Sequence, residues 1–357
     1  MPAISFSATA IPRILLTVAI SALGGGIAML LGLPAGWLMG GALAVTIATL
    51  GGAPTSMPDG LRNVTFVLIG MSMGASVAPD SLSLLGNWPI SLAALAIELV
   101  IIVAATGWML IRFFRLDAGT AYLGSFPGHL SFVMGMAATG VGNPRQIVVI
   151  QVIRVLMLTI AVPLGSIFLP IDHFVTQTTT EYLSVLQIAL LAAACVATGL
   201  VFEALKIPAG LVLGAMAAST VGKLAGFYSE AMPPALVVVT FILTGALIGS
   251  RFKGVTRQEL AAAALGGFIA TIMTMAIVTV MALGVTPLVN MPFGQVWLAL
   301  SPGALEGMGA LGIALGYDTA FIAAHHVIRL LMLTFAVPLV VVLIRRGERQ
   351  AEGPAGT

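Results

Sequence analysis

"QVIRVLMLTIAVPL" occupies residues 151–164 and "HVIRLLMLTFAVPL" residues 326–339. The two stretches match at 11 of 14 positions, and each carries one arginine, Arg154 or Arg329, inside an otherwise apolar run. The surrounding chain explains why that is costly. Of its 357 residues 59% are hydrophobic and 8% are charged, against about 25% charged in a soluble domain. So little charge cannot solvate so much apolar surface in water, and the chain reads as an all-α polytopic membrane protein. Each arginine lies about ten residues into its helix, ~15 Å from the end at 1.5 Å per residue. That is near mid-membrane, where an unpartnered arginine costs at least ~2.5 kcal/mol.

The repeated stretch belongs to a longer duplication. At an offset of 175, "FPGHLSFVMG" (126–135) meets "SPGALEGMGA" (301–310), and "VTFVLIGMSMGAS" (64–76) meets "VTFILTGALIGSR" (239–251). At an offset of 174, "LPAGWLMGGA" at Pro34 meets "IPAGLVLGAM" at Pro208. Four landmarks recur in one order. They define two homologous halves, 10–170 and 182–345, followed by a polar tail, 346–357. A period this long is a duplicated membrane half and not a solenoid repeat.

Each half shows six apolar segments: 12–32, 34–52, 60–77, 88–111, 119–140 and 144–168, then 182–203, 208–224, 233–250, 260–285, 295–316 and 319–344. The first reads as a bundle helix and not as a cleaved signal, since no cleavage site follows a short apolar core. The fifth segment of each half carries a helix break, Pro127-Gly128 or Pro302-Gly303. Charge placement discriminates between a kinked crossing and a re-entrant element, because basic residues collect on the cytoplasmic face. Twelve straight crossings split the basic residues: Arg13, Arg62, Arg112, Arg115, Lys223, Arg345, Arg346 and Arg349 inside, and Arg145, Lys206, Arg251, Lys253 and Arg257 outside. If each fifth segment enters and leaves on one face, every one of these except Lys223 falls inside. The expected architecture is therefore two inverted repeats of five crossings plus one re-entrant segment each, with twelve straight crossings as the alternative. Both termini are expected in the cytoplasm and the chain in a bacterial inner membrane.

Several polar residues fall within these apolar segments. Arg154 and Arg329 have two readings: they hold a polar or anionic solute, or they bond to carbonyl groups of the broken element beside them. Gln151 and His326 precede them by three residues, and His325 precedes Arg329 by four, all spacings that share a helix face. Adjacent histidines point about 100° apart, so His325 and His326 suit hydrogen bonds in the interior, or a proton relay, better than one shared metal. Glu306 follows the second break, and Ser131 stands at the matching place in the first half. A carboxyl group on a broken element is the leading candidate for coupling protons or cations, with a salt bridge to Arg329 or Arg154 as the plainer role. His129, two residues after Pro127, is its weaker companion. Asn143 and Asp318 suit helix N-caps. Glu98 matches Met273 and is private to the first half. Cys195, the single cysteine, reads as packing. "GWLMG", "GMSMG" and "GALIG" are small-residue motifs that let helices approach closely, and they leave homo-oligomerisation open.

The two "PAG" starts, the two "PG" breaks and the paired "IR.LMLT.AVPL" stretches resemble the bacterial membrane AbrB family over nearly the whole chain. Its members carry a duplicated domain of about half this length and are labelled ammonia monooxygenases or membrane regulators of gene expression. The DNA-binding regulator of the same name is a different protein, and no soluble basic domain here suits nucleic acid. The resemblance implies a Pro-Gly-Gly break followed by a Ser-Glu pair. In this chain Ser131 and Glu306 take the serine place, while Phe132 and Gly307 take the glutamate place. A monooxygenase needs clustered histidine and carboxylate ligands, and four histidines, two of them adjacent, make a poor cluster. No cofactor, metal or enzymatic activity is expected. The expectation is a secondary transporter or exporter of a small polar or anionic solute, with the lipid bilayer and that solute as its partners. The alternatives are a non-transporting membrane regulator and, behind it, a membrane monooxygenase.

Overall fold

The computed structural model describes residues 11–77, 86, 88–128, 130–167 and 181–351. The first half comprises α1 (Ile11–Leu30), α2 (Gly36–Leu50), α3 (Asp59–Ala75), α4 (Trp88–Phe114), α5 (Ala118–Ser125), α6 (Leu130–Ala137) and α7 (Pro144–Ser166). The second comprises α8 (Val185–Ala204), α9 (Gly210–Leu224), α10 (Pro234–Ser250), α11 (Arg257–Val289), α12 (Phe293–Leu300), α13 (Leu305–Leu315) and α14 (Thr319–Ala351). Each half has six apolar segments, and each fifth segment is split at its Pro-Gly into two short helices. Among the described residues six helices are long and apolar enough to span a bilayer core. At 15 residues, α2 and α9 reach only ~22 Å and sit inside the bundle. The polar tail begins as helix, because α14 continues unbroken to Ala351.

The repeated "PAG" builds a tight helical corner in each half. Ala35 and Ala209 adopt left-handed backbone, at φ 50° and 54°, and the next glycine opens the helix. A Cβ on Gly36 would lie 2.7 Å from Met29 N, and one on Gly210 2.7 Å from Glu203 N. Only glycine lets α2 fold back on α1, and α9 on α8, this closely. Gly40 and Gly214 continue these antiparallel contacts, against Gly24 and Gly199 respectively.

The other glycine motifs join the two halves. On α3, a Cβ on Gly70 would meet Met216 N at 3.0 Å, and one on Gly74 Thr220 N at 2.8 Å. On α10, a Cβ on Gly245 would meet Ala42 N at 3.0 Å, and one on Gly249 Thr46 N at 2.9 Å. Apolar burial drives nothing within lipid, so close van der Waals packing of this kind carries the seam. Ser219 Oγ adds a hydrogen bond to Met71 O at 2.8 Å. Lys223 Nζ donates to Ala75 O, at the C-terminus of α3, at 2.5 Å. That carbonyl gives Lys223, the basic residue set apart from the others in the expected charge distribution, a partner at its position.

These contacts fix direction. In both seams the residue numbers rise together, so α3 runs parallel to α9 and α10 parallel to α2. The link 51–58 stays at the end of α2: Thr49 and Thr55 hydroxyls pair at 2.9 Å, and Ser56 N donates to Thr17 Oγ1 at 2.8 Å. The corresponding link 225–233 stays at the start of α8, where Leu183 N donates to Ala231 O at 3.0 Å. Thus α2 and α3 run in opposite senses, and so do α9 and α10. Matching helices of the two halves therefore point oppositely, and the repeats are inverted. In a Cys195→Ala background, Ala53→Cys and Ser229→Cys occupy matching links, and an impermeant thiol reagent should label Ser229→Cys but not Ala53→Cys in intact cells. Labelling of both from one face would contradict the inversion.

Candidate functional site

The broken segments are hairpins that enter and leave on one face. At the mouth of the first, Gly119 lies against Val141 and Gly142, and Asn143 N donates to Thr120 Oγ1 at 2.6 Å. So α5 starts beside the chain that leaves α6. At the mouth of the second, Asp318 N donates to Gln295 Oε1 at 3.2 Å, and Gly294 abuts Tyr317. So α12 starts beside the chain that leaves α13. Asn143 caps α7 through Arg145 N and Gln146 N, and Asp318 Oδ1 caps α14 through Ala320 N.

The hairpins come from opposite faces. Gly165, near the end of α7, packs on Trp297 of the second hairpin. Arg345, near the end of α14, donates to Thr139 O at the mouth of the first. Each long helix thus starts at one hairpin mouth and finishes beside the other hairpin. The first hairpin tip also touches α14, with Gly128 near Leu330 and Leu333.

Each tip is held by the arginine of the repeated stretch. Arg329 Nη1 donates to Ser301 O at 2.7 Å, and Nη2 donates to Ala299 O and Leu300 O at 2.9 and 2.6 Å. Arg154 repeats this one half earlier, to Gly124 O and Ser125 O at 3.4 and 3.1 Å and to Phe126 O at 2.5 Å. Those carbonyls terminate α12 and α5, where no further helical N–H can reach them. The guanidinium satisfies them and sits at the negative end of the helix dipole. Each charge-assisted bond contributes about 1.5–3 kcal/mol, so three outweigh the ~2.5–3.5 kcal/mol insertion cost of a central arginine. Both arginines are at most 4% exposed. Of the two readings for these arginines, the geometry displays the bond to the broken element.

The remaining candidates distribute around the tips. Gln151 Nε2 donates to Leu123 O at 3.2 Å. His326 bonds through Nδ1 to Ile322 O at 2.9 Å, and its buried Nε2 turns toward the Ser301 backbone without a hydrogen bond of ordinary geometry. His325 points elsewhere, to Ser91 Oγ on α4 at 2.8 Å, with its ring centroid 4.1 Å from that of Phe321. Glu98 is buried, its Oε2 has no hydrogen bond, and it lies within reach of the Arg329 charge, as Arg154 also does. The plainer expectation paired Glu306 with Arg329 or Arg154, and it pairs with neither. It pairs with Arg251, which follows α10. His129 and the side chain of Ser131 lie outside the described residues. Among the described residues no three His, Cys, Asp or Glu side chains converge as metal ligands. Arg251 escaped the sequence reading because it stood among loop cations. Its signal was present: Arg251 matches Ser76 as Glu306 matches Ser131, so both break the repeat together.

Replacing Arg329 by methionine leaves the buried Ala299 and Leu300 carbonyls without the guanidinium, while Ser301 O keeps its bond from Gly303 N at 3.0 Å, and should lower stability by ~3–5 kcal/mol. Lysine, which lacks the planar fork, should recover less than half of that loss. The check is the thermal midpoint of the purified protein in detergent, and an unchanged midpoint for Arg329→Met contradicts the capping role.

The family described as "Transition state regulatory protein AbrB" matches residues 37–345. The chain is 25% identical over 356 residues to "Uncharacterized protein YhjN" of Bacillus subtilis (strain 168), covering 90% of each chain. It is 27% identical over 317 residues to "Putative regulator AbrB" of Escherichia coli (strain K12), covering 86% of this chain and 89% of that one. No solved structure matches. The chain belongs to the AbrB family.

Proposed function

We propose that this AbrB-family membrane protein is a secondary transporter of a small polar or anionic solute, coupled to protons, and not an enzyme. One observation carries the reading: two hairpins enter from opposite faces, and their tips, held by Arg154 and Arg329, end inside the bundle. Inverted repeats with interrupted helices suit alternating access, since exchanging the conformations of the two halves exchanges the open face. Broken backbone at this depth is tolerated where it is buried in protein or lines a cavity. Two buried guanidinium groups bias that interior toward anions. The face at which α1 starts and α14 ends also holds nearly all the described surface basic residues, which supports a bacterial inner-membrane location with cytoplasmic termini.

A second reading draws on the comparisons. The family description and the name of the Escherichia coli relative both carry the idea of regulation. A transporter alters expression by changing the concentration of an intracellular inducer, whereas a sensor signals without flux. Glu306→Gln separates the two readings. In proteoliposomes holding a pH-sensitive dye, pulses of small organic acids should move protons with solute through the wild type, and the variant should lose the pH dependence while remaining folded. Pulses that move neither, or a variant with unchanged pH dependence, count against proton-coupled transport. A transcriptional effect that persists in a flux-dead variant favours the sensor.

A further inference from the structure

Two charged side chains stand where the relation between the halves fails. Arg251 follows α10, and Glu306 lies in the first turn of α13, beyond the break of the second hairpin. Their counterparts in the first half are Ser76 and Ser131. One half thus carries an ion pair between the end of a scaffold helix and a hairpin tip, where the other carries two serines. The Glu306 side chain is 10% exposed and that of Arg251 26%. The pair therefore marks the boundary between the buried tip and the face bearing the termini. Arg154 and Arg329 commit both terminal nitrogens of their guanidinium groups to carbonyl groups. Arg251 does not: among the described residues, Glu306 is the acceptor of its guanidinium.

We propose that Arg251 is an anion-binding residue, that Glu306 is its resident ligand, and that a small carboxylate replaces Glu306 when Glu306 is protonated. The proposal rests on the transporter reading and names its substrate class. The planar guanidinium accepts any carboxylate in the geometry it offers Glu306. Protonating Glu306 alone strands a cation at the hairpin tip, and admitting a carboxylate beside a charged Glu306 strands an anion. Both states are unfavourable in this environment. Proton and carboxylate therefore favour each other's binding, reciprocally. The other described titratable groups on the elements packed against α13 are Asp59 and Arg62 at the start of α3, Arg145 and Arg154 on α7, and Asp318, His325, His326, Arg329, Arg345 and Arg346 on α14; Arg62 pairs with Asp59 and Arg145 with Glu259. Apart from Arg251, none of them forms an ion pair with Glu306.

The test is binding by the full chain purified in detergent, read as the unfolding midpoint in sodium acetate against acetamide at constant ionic strength. Glu306→Ala empties a carboxylate-sized place beside Arg251. Its midpoint should rise saturably with acetate, by about 2 °C at tenfold excess over Kd, and not with acetamide. Glu306→Gln should respond likewise at every pH and serves if the alanine variant does not fold. The wild-type response should grow as pH falls, and Arg251→Gln should not respond at all. An Arg251→Gln response equal to that of the wild type, silent Glu306 variants, or a wild-type response independent of pH would each overturn the proposal. Because no flux is measured, such a failure leaves the transport reading standing, and a failure of flux leaves this binding result intact.

Discussion

The donation of an arginine fork to three terminal carbonyls is the interaction on which the rest of the structure depends. A helix that stops inside a membrane leaves unpaired carbonyls, and an arginine inside a membrane leaves unpaired donors. Either alone is prohibitive in a medium without water. Together, at Arg154 over 124–126 and Arg329 over 299–301, each removes the other's penalty. The fork lets the hairpins stop at mid-depth, and the stopped hairpins let the chain bring polar groups there. Proline follows each stop and supplies no N–H that would need a partner.

The two halves are interleaved more than docked. α3 lies on α9 and α2 on α10, each through a pair of glycines one turn apart, while α7 and α14 each touch both hairpins. A movement of one hairpin is consequently felt by the long helix of the other half. Symmetry is kept in the parts that hold the fold and broken at a few charged positions: Glu98, Arg251 and Glu306. Two equal halves can exchange conformations, and an unequal pair of charges at one tip can make that exchange depend on a ligand and a proton.

Much of this was legible in the sequence. The offset of 175 aligned the breaks and the arginines, and the placement of basic residues favoured re-entrant elements over straight crossings. Mouth contacts such as Asn143 with Thr120 and Asp318 with Gln295 then displayed the return of each hairpin directly. The partners of the glycine motifs were illegible, because a small-residue motif states that something comes close and not what. Lys223 was an exception to the charge rule until its carbonyl partner on α3 was visible. Arg251 was hidden for a related reason: a cation just past a helix end resembles every other interfacial cation until its rotamer turns inward.

The central claim is that each broken segment is a clamped hairpin and not a kinked crossing. The most direct measurement is a pulsed spin-label distance across one such segment, with Ala118→Cys and Ala138→Cys in a Cys195→Ala chain reconstituted in lipid. A hairpin places the two labels on one face, below ~20 Å apart. A straight crossing of that length separates them by ~30 Å, and that distance would contradict the account.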